Sequence, residues 1–398
     1  SKMNLMIDST AVKDWVLYYS KILSVIAVLG AVYLVLMFFG IAYQLFNNVV
    51  DIDLMLYFKN LGINLITIYL FTGLIIFLHV FINNKYFVHF LVVGFYFFIG
   101  FSTKLGIEHN LLRFSHSSGY IYSEMNGFGN AMLSYFSYKL YWAFFTTILV
   151  IMGYLFYVRG FETELKQRII VAKTRLSNKL KLGLLLTLLL FMVIGSYIFY
   201  NTNILDDFKT QKAVAQEKAT YEKKYKKYKN LPQPKYTDVS VEVDFYPDIQ
   251  AADFAGTFVL KNKHSVPIEN FHITTNKSLV FQKLEISKPN ELEAEDDLFS
   301  YKIYRFKQPL SPGEEFTMRL ECSFRRTNFD KTTRIVENGS FITNNFFMPL
   351  IGYQERKELV KEKNRERYGL KPKERMADVN DPVARQDNYL KDDDEWDA

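Results

Sequence analysis

Five long apolar stretches in the first half of the chain restrict its fold more than any other feature. Each stretch runs for 18 to 25 residues without Asp, Glu, Lys or Arg. A helix rises about 1.5 Å per residue, so each stretch is long enough to cross a hydrocarbon core of roughly 30 Å. The sequence therefore predicts a multi-span α-helical membrane domain with five transmembrane helices. They are expected at Ile22–Phe46, Leu61–Ile82, Tyr86–Thr103, Leu140–Val158 and Leu182–Tyr200.

The second half of the chain has a different periodicity. Apolar and polar residues alternate from Val239 to Phe245, and again along two later segments that turn residues separate. Short alternating strands with regular turns predict a mostly antiparallel β-sandwich or saddle, which we assign to residues 236–398. The apolar residues of each alternating segment form an inward set, which we expect to face the core. Cys322, the only cysteine, belongs to such a set, so we expect an inert core thiol. The later inward sets are Phe254, Gly256, Phe258 and Leu260, and then Phe316, Met318, Leu320 and Cys322.

Residues 201–235 read as a helical, lysine-rich connector between the two halves. Ala, Gln, Glu and Lys are abundant from Asp206 to Asn230, where Gly and Pro are absent, so helix is favoured. Tyr221, Tyr225 and Tyr228 fall on one stripe of this helix, and we predict that they pack on the next domain. A nucleic-acid patch is the alternative interpretation. The net charge of +6 is modest, so we expect no nucleic-acid partner.

The distribution of basic residues predicts the orientation in the membrane. The segment Arg159–Lys181 holds seven basic residues against Glu162 and Glu164, which places the loop 160–181 in the cytoplasm. Counting spans from there puts the N-terminal end inside and everything after Tyr200 outside. The eight lysines between Lys209 and Lys229 argue the other way, but most of them lie beyond the distance at which charge sets orientation.

The external connection over residues 105–137 is too polar to span and too apolar for an ordinary loop. Two short re-entrant or interfacial helices suit this composition, because irregular backbone at membrane depth must be covered by protein. Glu108, His109, His116 and Glu124 could be arranged around a metal, but their spacing matches no known ligand pattern, so we predict no metal site. The residues that we single out in this region are Glu108, His109, Tyr122, Glu124, Asn126 and Gly127.

The segment Ile7-Asp-Ser-Thr-Ala-Val-Lys-Asp-Trp-Val-Leu-Tyr-Tyr-Ser-Lys-Ile-Leu23 resembles the cytoplasmic coupling segment of ABC-2 type permeases. That family has Pro and Gly where this chain has Ala11 and Ser20. The resemblance implies a coupling segment at 1–21 and a permease segment with four spans at 22–159, before a fifth helix at 182–200. It also implies a second permease half or a homodimer. The implied ATPase-coupling surface consists of Ser9, Thr10, Lys13 and Lys21.

ATP would act only through a separate ABC ATPase subunit. No Walker phosphate loop of the form Gly-x-x-x-x-Gly-Lys-Ser/Thr occurs in the chain, so it does not carry that nucleotide site itself.

The β-rich half resembles the opening of M1-family zinc aminopeptidases. The resemblance rests on Val-Ser-Val-Glu-Val-Asp-Phe-Tyr-Pro-Asp248 and on Phe-Ala-Gly-Thr-Phe-Val-Leu-Lys-Asn-Lys263. Phe-Met-Pro-Leu-Ile-Gly-Tyr353 resembles a segment of bacterial proteins in which an ABC-2 permease is joined to an M1-like domain. Bacterial proteins that join an ABC-2 permease to an M1-like domain combine both features, which implies the bacterial inner membrane. The M1-like motif segment includes Asn338, Gly339, Ser340, Pro349, Gly352 and Tyr353.

M1 catalysis needs a His-Glu-x-x-His motif, in which two imidazoles bind zinc and the Glu activates water. None of the six histidines is followed by Glu. We therefore name no catalytic or metal-binding residue and no cofactor in this chain, and expect an internal fragment of a longer protein. Zinc would be possible in the complete protein. His264 and His272 are expected to be surface or packing residues.

Three functions remain open. The first is a membrane permease component of an ABC-type transporter that carries an extracytoplasmic aminopeptidase-like domain. The second is a membrane anchor for a zinc aminopeptidase whose catalytic domain lies beyond residue 398. The third is a non-catalytic envelope scaffold that binds a peptide or an envelope partner. The lipid bilayer is a partner in all three.

Overall fold

A computed structural model describes residues 10–49, 51–82, 84–125, 127–129, 131–159, 165–327, 329, 334–336, 339–373 and 380–383. The chain divides into two compact units. The first is Ser1–Phe208 with Asn328–Lys331, and the second is Lys209–Thr327 with Thr332–Ala398. Each unit is described by itself below.

The first unit is helical. Among its described residues, four helices are long and apolar enough to cross a membrane, which supports a membrane protein. A fifth apolar helix, α3, has 17 residues and spans roughly 25 Å, so the predicted count of five spans stays a prediction. The helices are α1 Asp14–Phe46, α2 Leu54–Phe81, α3 Lys85–Phe101, α4 Ala131–Phe156, α5 Leu165–Arg175 and α6 Asn178–Phe199, which a π turn extends to Leu205.

Small residues let these helices approach closely. At Gly73 on α2, an added Cβ would overlap Thr146 Cγ2 on α4 and lie 3.0 Å from Val150 Cγ2. At Gly153 on α4, an added Cβ would overlap the hydroxyl of Tyr18, which donates to Val150 O at 3.0 Å. Contact through glycine is typical of membrane helix packing, because apolar burial gives helices little driving force within lipid.

The prediction of two short helices within 105–137 is wrong for the described residues. Before α4 begins at Ala131, this region contains one short 3₁₀ turn, Asn110–Leu112, and otherwise consists of turns. Gly106, Gly127 and Gly129 have positive φ, which interrupts any regular helix. The loop is nevertheless covered, since Phe114 is 5% exposed and packs among aromatic side chains of the helices.

The second unit is the mostly antiparallel β domain that the alternating pattern predicted. Its two larger sheets have four strands each, in the orders β1-β2-β7-β4 and β10-β3-β6-β5, and β8 pairs with β9. The strands are β1 Lys235–Tyr246, β2 Ala251–Lys261, β3 Ile268–Thr274, β4 Val280–Ile286, β5 Asn290–Asp296, β6 Tyr301–Leu310, β7 Glu315–Arg325, β8 Ile335–Val336, β9 Gly339–Ser340 and β10 Leu350–Ile351.

One hydrophobic core joins the two large sheets. The predicted inward sets on β2 and β7 are buried apart from the half-buried Gly256, and burial raises the pKa of the Cys322 thiol to about 12. The pattern is followed only in part on β1, where Val241 and Val243 pack against the core while Val239 and Phe245 are 43% and 44% exposed. The strand lies at the edge of its sheet, and only the central part of its inner face is covered by the core.

The connector is helical and belongs to the second unit from Lys209 onward. Helix α7, Gln211–Tyr225, ends in a 3₁₀ turn. The predicted tyrosine stripe packs against Phe299 and Tyr301 of the β domain, which confirms its packing role. Two short helices follow, α8 Asn344–Phe347 and α9 Glu362–Arg367, and Gly369 has the positive φ expected of a helix stop.

Candidate functional site

Lys139 is a buried cation on a helix long enough to cross a membrane. It lies on α4 and is 6% exposed. Its ammonium donates to Ser115 O at 2.9 Å and to Thr67 Oγ1 at 3.1 Å. These acceptors are neutral oxygens, so they solvate the charge without neutralising it. Ionisable residues inside membrane helices are energetically costly and usually functional, which makes this the leading candidate site of the first unit.

A second cation lies two residues before Ser115. The guanidinium of Arg113 donates from Nε to Ser102 Oγ at 2.8 Å, and its Nη2 lies 2.6 Å from His116 Nε2. Lys139 and Arg113 thus place two cations and several hydroxyl groups at this end of the helices, with the Glu108 carboxylate close enough to Arg113 to interact with its charge. Such a set can attract and hydrogen-bond an anion, since both side chains are donors only.

An ion-pair cluster, which we call the Asp14 clamp, joins the start of α1 to the residues just after α4. It consists of Asp14, Arg159 and Arg175. Arg159 Nε lies 2.5 Å from Asp14 Oδ1, and Arg175 pairs with the other carboxylate oxygen. Arg159 also donates to the carbonyl oxygens of Thr10 and Val12. The clamp therefore fastens the residues before α1 to the residues after α4 and at the end of α5.

The predicted coupling residues lie next to this clamp. Thr10 contributes a carbonyl to Arg159, at 3.0 Å, and Lys13 occupies the exposed cap position before α1. Lys21 donates to Tyr157 Oη at 3.1 Å. Ser9 lies outside the described residues. The structure thus gathers the described coupling residues at one end of the helices, and their role in coupling stays a prediction.

The residues singled out in the external connection do not converge on one point. The distance from His109 Nε2 to Thr202 Oγ1, at the end of α6, is 3.1 Å. Glu124, in contrast, is exposed. Tyr122 packs its ring against Phe128, and Gly127 closes a turn by accepting from Ser123 N at 2.8 Å. Glu108 is half-buried. Asn126 lies outside the described residues.

The M1-like motif residues have structural contacts in the second unit. Gly339 and Ser340 form β9, and Pro349 O accepts from Tyr236 Oη at 2.7 Å. Gly352 has a φ of +70° and donates from its amide to His272 O at 2.8 Å. Tyr353 stacks on the Tyr221 ring and donates to Glu358 Oε1 at 2.9 Å. Asn338 lies outside the described residues.

The sequence interpretation missed Lys139 and Asp14. It began the fourth span at Leu140, so Lys139 was assigned to the loop, whereas α4 begins at Ala131. The missed signal was the run Ala131–Leu140, which lacks Gly and Pro and therefore permits the helix to extend outward from the apolar stretch. For Asp14, the signal was an acid at the start of a helix, where its negative charge interacts favourably with the helix dipole.

No group of three or more His, Cys, Asp and Glu side chains that could hold a metal occurs among the residues that the structure describes. In comparisons with known proteins, no family model matches the chain and no curated protein matches it. The geometry of the chain itself must therefore support any functional proposal.

Proposed function

We propose that the chain is a membrane-integral transport component of the ABC-2 permease type, energised by a separate ATPase subunit. In this proposal all five apolar stretches span the bacterial inner membrane, with the N-terminal end in the cytoplasm. The β-rich unit lies outside and carries the aminopeptidase-like fold. The partner subunit binds the segment around Thr10 and Lys13.

The position of helix α4 is the observation that carries this proposal. Near its start α4 bears the buried Lys139, and just beyond its end Arg159 enters the Asp14 clamp. A force applied to the segment before α1 would therefore reach the residues just after α4 through the Asp14–Arg159 ion pair and the two hydrogen bonds from Arg159 to Thr10 O and Val12 O. A helix that links a cytoplasmic contact surface to a buried charge is the kind of element that coupled transport needs.

The proposal predicts a specific partner. A wild-type chain purified from membranes of its natural host in a mild detergent should bring with it a polypeptide that contains a Walker phosphate loop. The combined substitution Ser9→Ala, Thr10→Ala and Lys13→Ala should abolish this association, because it removes the polar side chains of the coupling surface. Mass spectrometry of the co-purified proteins measures both outcomes.

A matched control separates loss of binding from loss of folding. Lys59→Ala changes an exposed lysine of α2 that is predicted to face the other side of the membrane, so it should leave the association intact. Equal yield and the same size-exclusion profile would show that the variants fold. Undiminished association of the triple variant, or no Walker-containing partner for the wild type, would refute the proposal.

A further inference from the structure

The second unit contains a pocket of about 660 Å³. Helix α7 forms one wall, the turn after β3 forms another, and the segment around α8 and the 3₁₀ turn Glu355–Lys357 completes it. This volume lies within the range of roughly 300–1,000 Å³ that is typical of small-molecule sites. All these elements belong to one compact unit, so the pocket is a property of that unit alone.

The lining of the pocket is strongly basic. Its one acidic side chain in the described lining, Glu217, is ion-paired with Lys209 at 2.6 Å. None of the five lining cations forms an ion pair with a described carboxylate. Their positive charge is therefore available to an anionic ligand. The five cations are Lys218, Lys277, Arg334, Arg356 and Lys357.

Lys357 is the central cation of this set. Its half-buried ammonium lies 5.6 Å from the centroid of the Tyr221 ring and donates to Phe299 O at 3.3 Å. Burial lowers the pKa of Lys357 to about 8, and the neighbouring charges of Arg356 and Lys277 act in the same direction. A lysine repelled by two other cations gains most from an anion that binds beside it.

A buried hydroxyl in the same wall also lacks a partner. Thr274 is 1% exposed, and its Oγ1 has no hydrogen-bond partner in the described part of the protein. The hydroxyl oxygen has almost no accessible surface, so it is closed off from the pocket.

The remaining wall is apolar and aromatic. Phe299 and Phe346 line it together with Leu298 and Met348. The guanidinium of Arg334 lies 4.6 Å from the centroid of the Phe346 ring, so charge and aromatic surface occur side by side. A ligand that fills this space has an anionic end and an apolar end.

We propose that the pocket binds a phosphate monoester that carries an apolar group. Lys357, Arg356 and Lys277 contact the phosphate, and the apolar wall, whose more exposed members are Leu298 and Met348, contacts the apolar group. A dianion suits this lining better than a single carboxylate, because five cations and one acid leave four positive charges. The proposal concerns the second unit and does not depend on the transport function.

Phenyl phosphate is the probe for this site. Binding to the full chain, purified in a maltoside detergent without phosphate groups, is measured by isothermal titration calorimetry at pH 7. We expect Lys357→Met to weaken binding by about tenfold to a hundredfold, the range for a lost hydrogen bond to a charged group. Lys277→Met, at an exposed turn position, should also weaken binding and guards against a folding defect at Lys357.

Two control variants test the roles of position and charge. Lys263→Met removes an exposed lysine outside the pocket lining and should leave the affinity unchanged. Lys357→Arg keeps the positive charge and should retain most of the affinity. The proposal would be overturned if the wild type failed to bind phenyl phosphate. It would also be overturned if the Lys357→Met and Lys277→Met variants both bound it as tightly as the wild type.

The pH dependence gives a second readout. Arg356 and Lys277 act on the charge of Lys357, and Lys218, Arg334 and Glu217 line the same pocket. Tyr221 is a neutral neighbour, and burial raises its pKa. Above pH 8 the ammonium of Lys357 loses its proton, so the wild-type affinity should fall by up to about tenfold per pH unit. The Lys357→Arg variant should not show this fall between pH 8 and 9.5, and an equal fall would contradict the assignment.

The source of the phosphate is decided by two further probes. Inorganic phosphate tests whether the anion alone is sufficient, and dihexanoyl phosphatidic acid tests a lipid headgroup with short apolar chains. Tighter binding of phenyl phosphate than of inorganic phosphate supports a contribution from the aromatic wall. Tighter binding of the lipid identifies a membrane-derived ligand, and equal binding of all three probes would refute the role of the apolar wall.

Discussion

At the scale of single residues, His272 shows how burial determines chemistry. It is 1% exposed on β3, its Nδ1 lies 2.9 Å from Tyr301 Oη, and its ring lies 4.7 Å from that of Tyr228. The sequence predicted a surface or packing residue, and the structure confirms packing. Burial lowers the pKa of His272 to about 4, so the imidazole is neutral in the folded protein over most of the physiological range.

This low pKa predicts acid sensitivity of the second unit. The unfolded chain takes up a proton on His272 near pH 6.5 and the folded chain only near pH 4, so stability is lost as the pH falls between these values. The loss from this residue amounts to about 3 kcal/mol. Urea unfolding of the full chain in detergent, read by pulse proteolysis at pH 7, 5.5 and 4.5, measures it. In a His272→Phe variant the decrease should be smaller, and an identical decrease would contradict the prediction.

At the scale of elements, a buried ion pair ties α7 to α9. Arg365 donates to both carboxylate oxygens of Glu222, at 2.7 and 2.8 Å, and both residues are 1% exposed. Arg365 also donates to the carbonyl oxygens of Leu359 and Lys371. The connector helix is therefore held to the second unit by a fully hydrogen-bonded pair as well as by its tyrosines.

Breaking this pair from one side should destabilise the second unit strongly. Arg365→Met leaves Glu222 buried without its main partner, at an expected cost of about 3–5 kcal/mol. The double variant Glu222→Met with Arg365→Met should cost less than Arg365→Met alone, because no buried charge remains unpaired. Pulse proteolysis in urea compares the variants.

Arg367→Met serves as the control, since Arg367 is exposed on the same helix and its loss should change stability little. A double variant less stable than the single one would contradict the argument.

The elements were predicted with unequal success. The strands on either side of the β core have an alternating pattern because one face of each is buried, and Phe316 to Cys322 on β7 follow it fully. On the edge strand β1 the same pattern leads to core packing only at Val241 and Val243, because how far the core covers a strand depends on topology. The loop before α4 escaped prediction because Phe114 anchors it through contacts distant in sequence. Sequence spacing likewise could not show that Thr67 and Ser115 contact Lys139, because these residues are far apart in the chain.

At the scale of the whole molecule, the sequence predicted a helical half with membrane-length helices and a β-rich half. It predicted none of the contacts that define the candidate site, because these depend on which helices are neighbours. The predicted function likewise came from resemblance and stays a prediction. The coupling role of Thr10 and Lys13, which lie beside the Asp14 clamp, also stays a prediction.

The orientation in the membrane can be tested with introduced thiols. Cys322, the only native thiol, is 2% exposed and should not react with a membrane-impermeant maleimide. Positive residues favour the cytoplasmic side, so Lys13→Cys should be labelled only after permeabilisation, whereas Lys59→Cys and Lys263→Cys should be labelled in intact cells. Labelling of Lys13→Cys and Lys263→Cys from the same side would show that the lysine-rich connector, and not the loop 160–181, determines the orientation.

The buried ammonium on α4 has one more consequence, which concerns voltage. A charge held within a bilayer lies in the electric field of the membrane potential, which amounts to about 2.3 kcal/mol per elementary charge for each 100 mV across the full thickness. If α4 moved along its axis by one turn of about 5.4 Å, Lys139 would cross roughly a fifth of a 30 Å core. The energised membrane would then contribute roughly 0.4 kcal/mol per 100 mV to that movement. A transport cycle built on α4 would therefore have a small but measurable dependence on membrane potential, which replacing Lys139 by a neutral residue would remove.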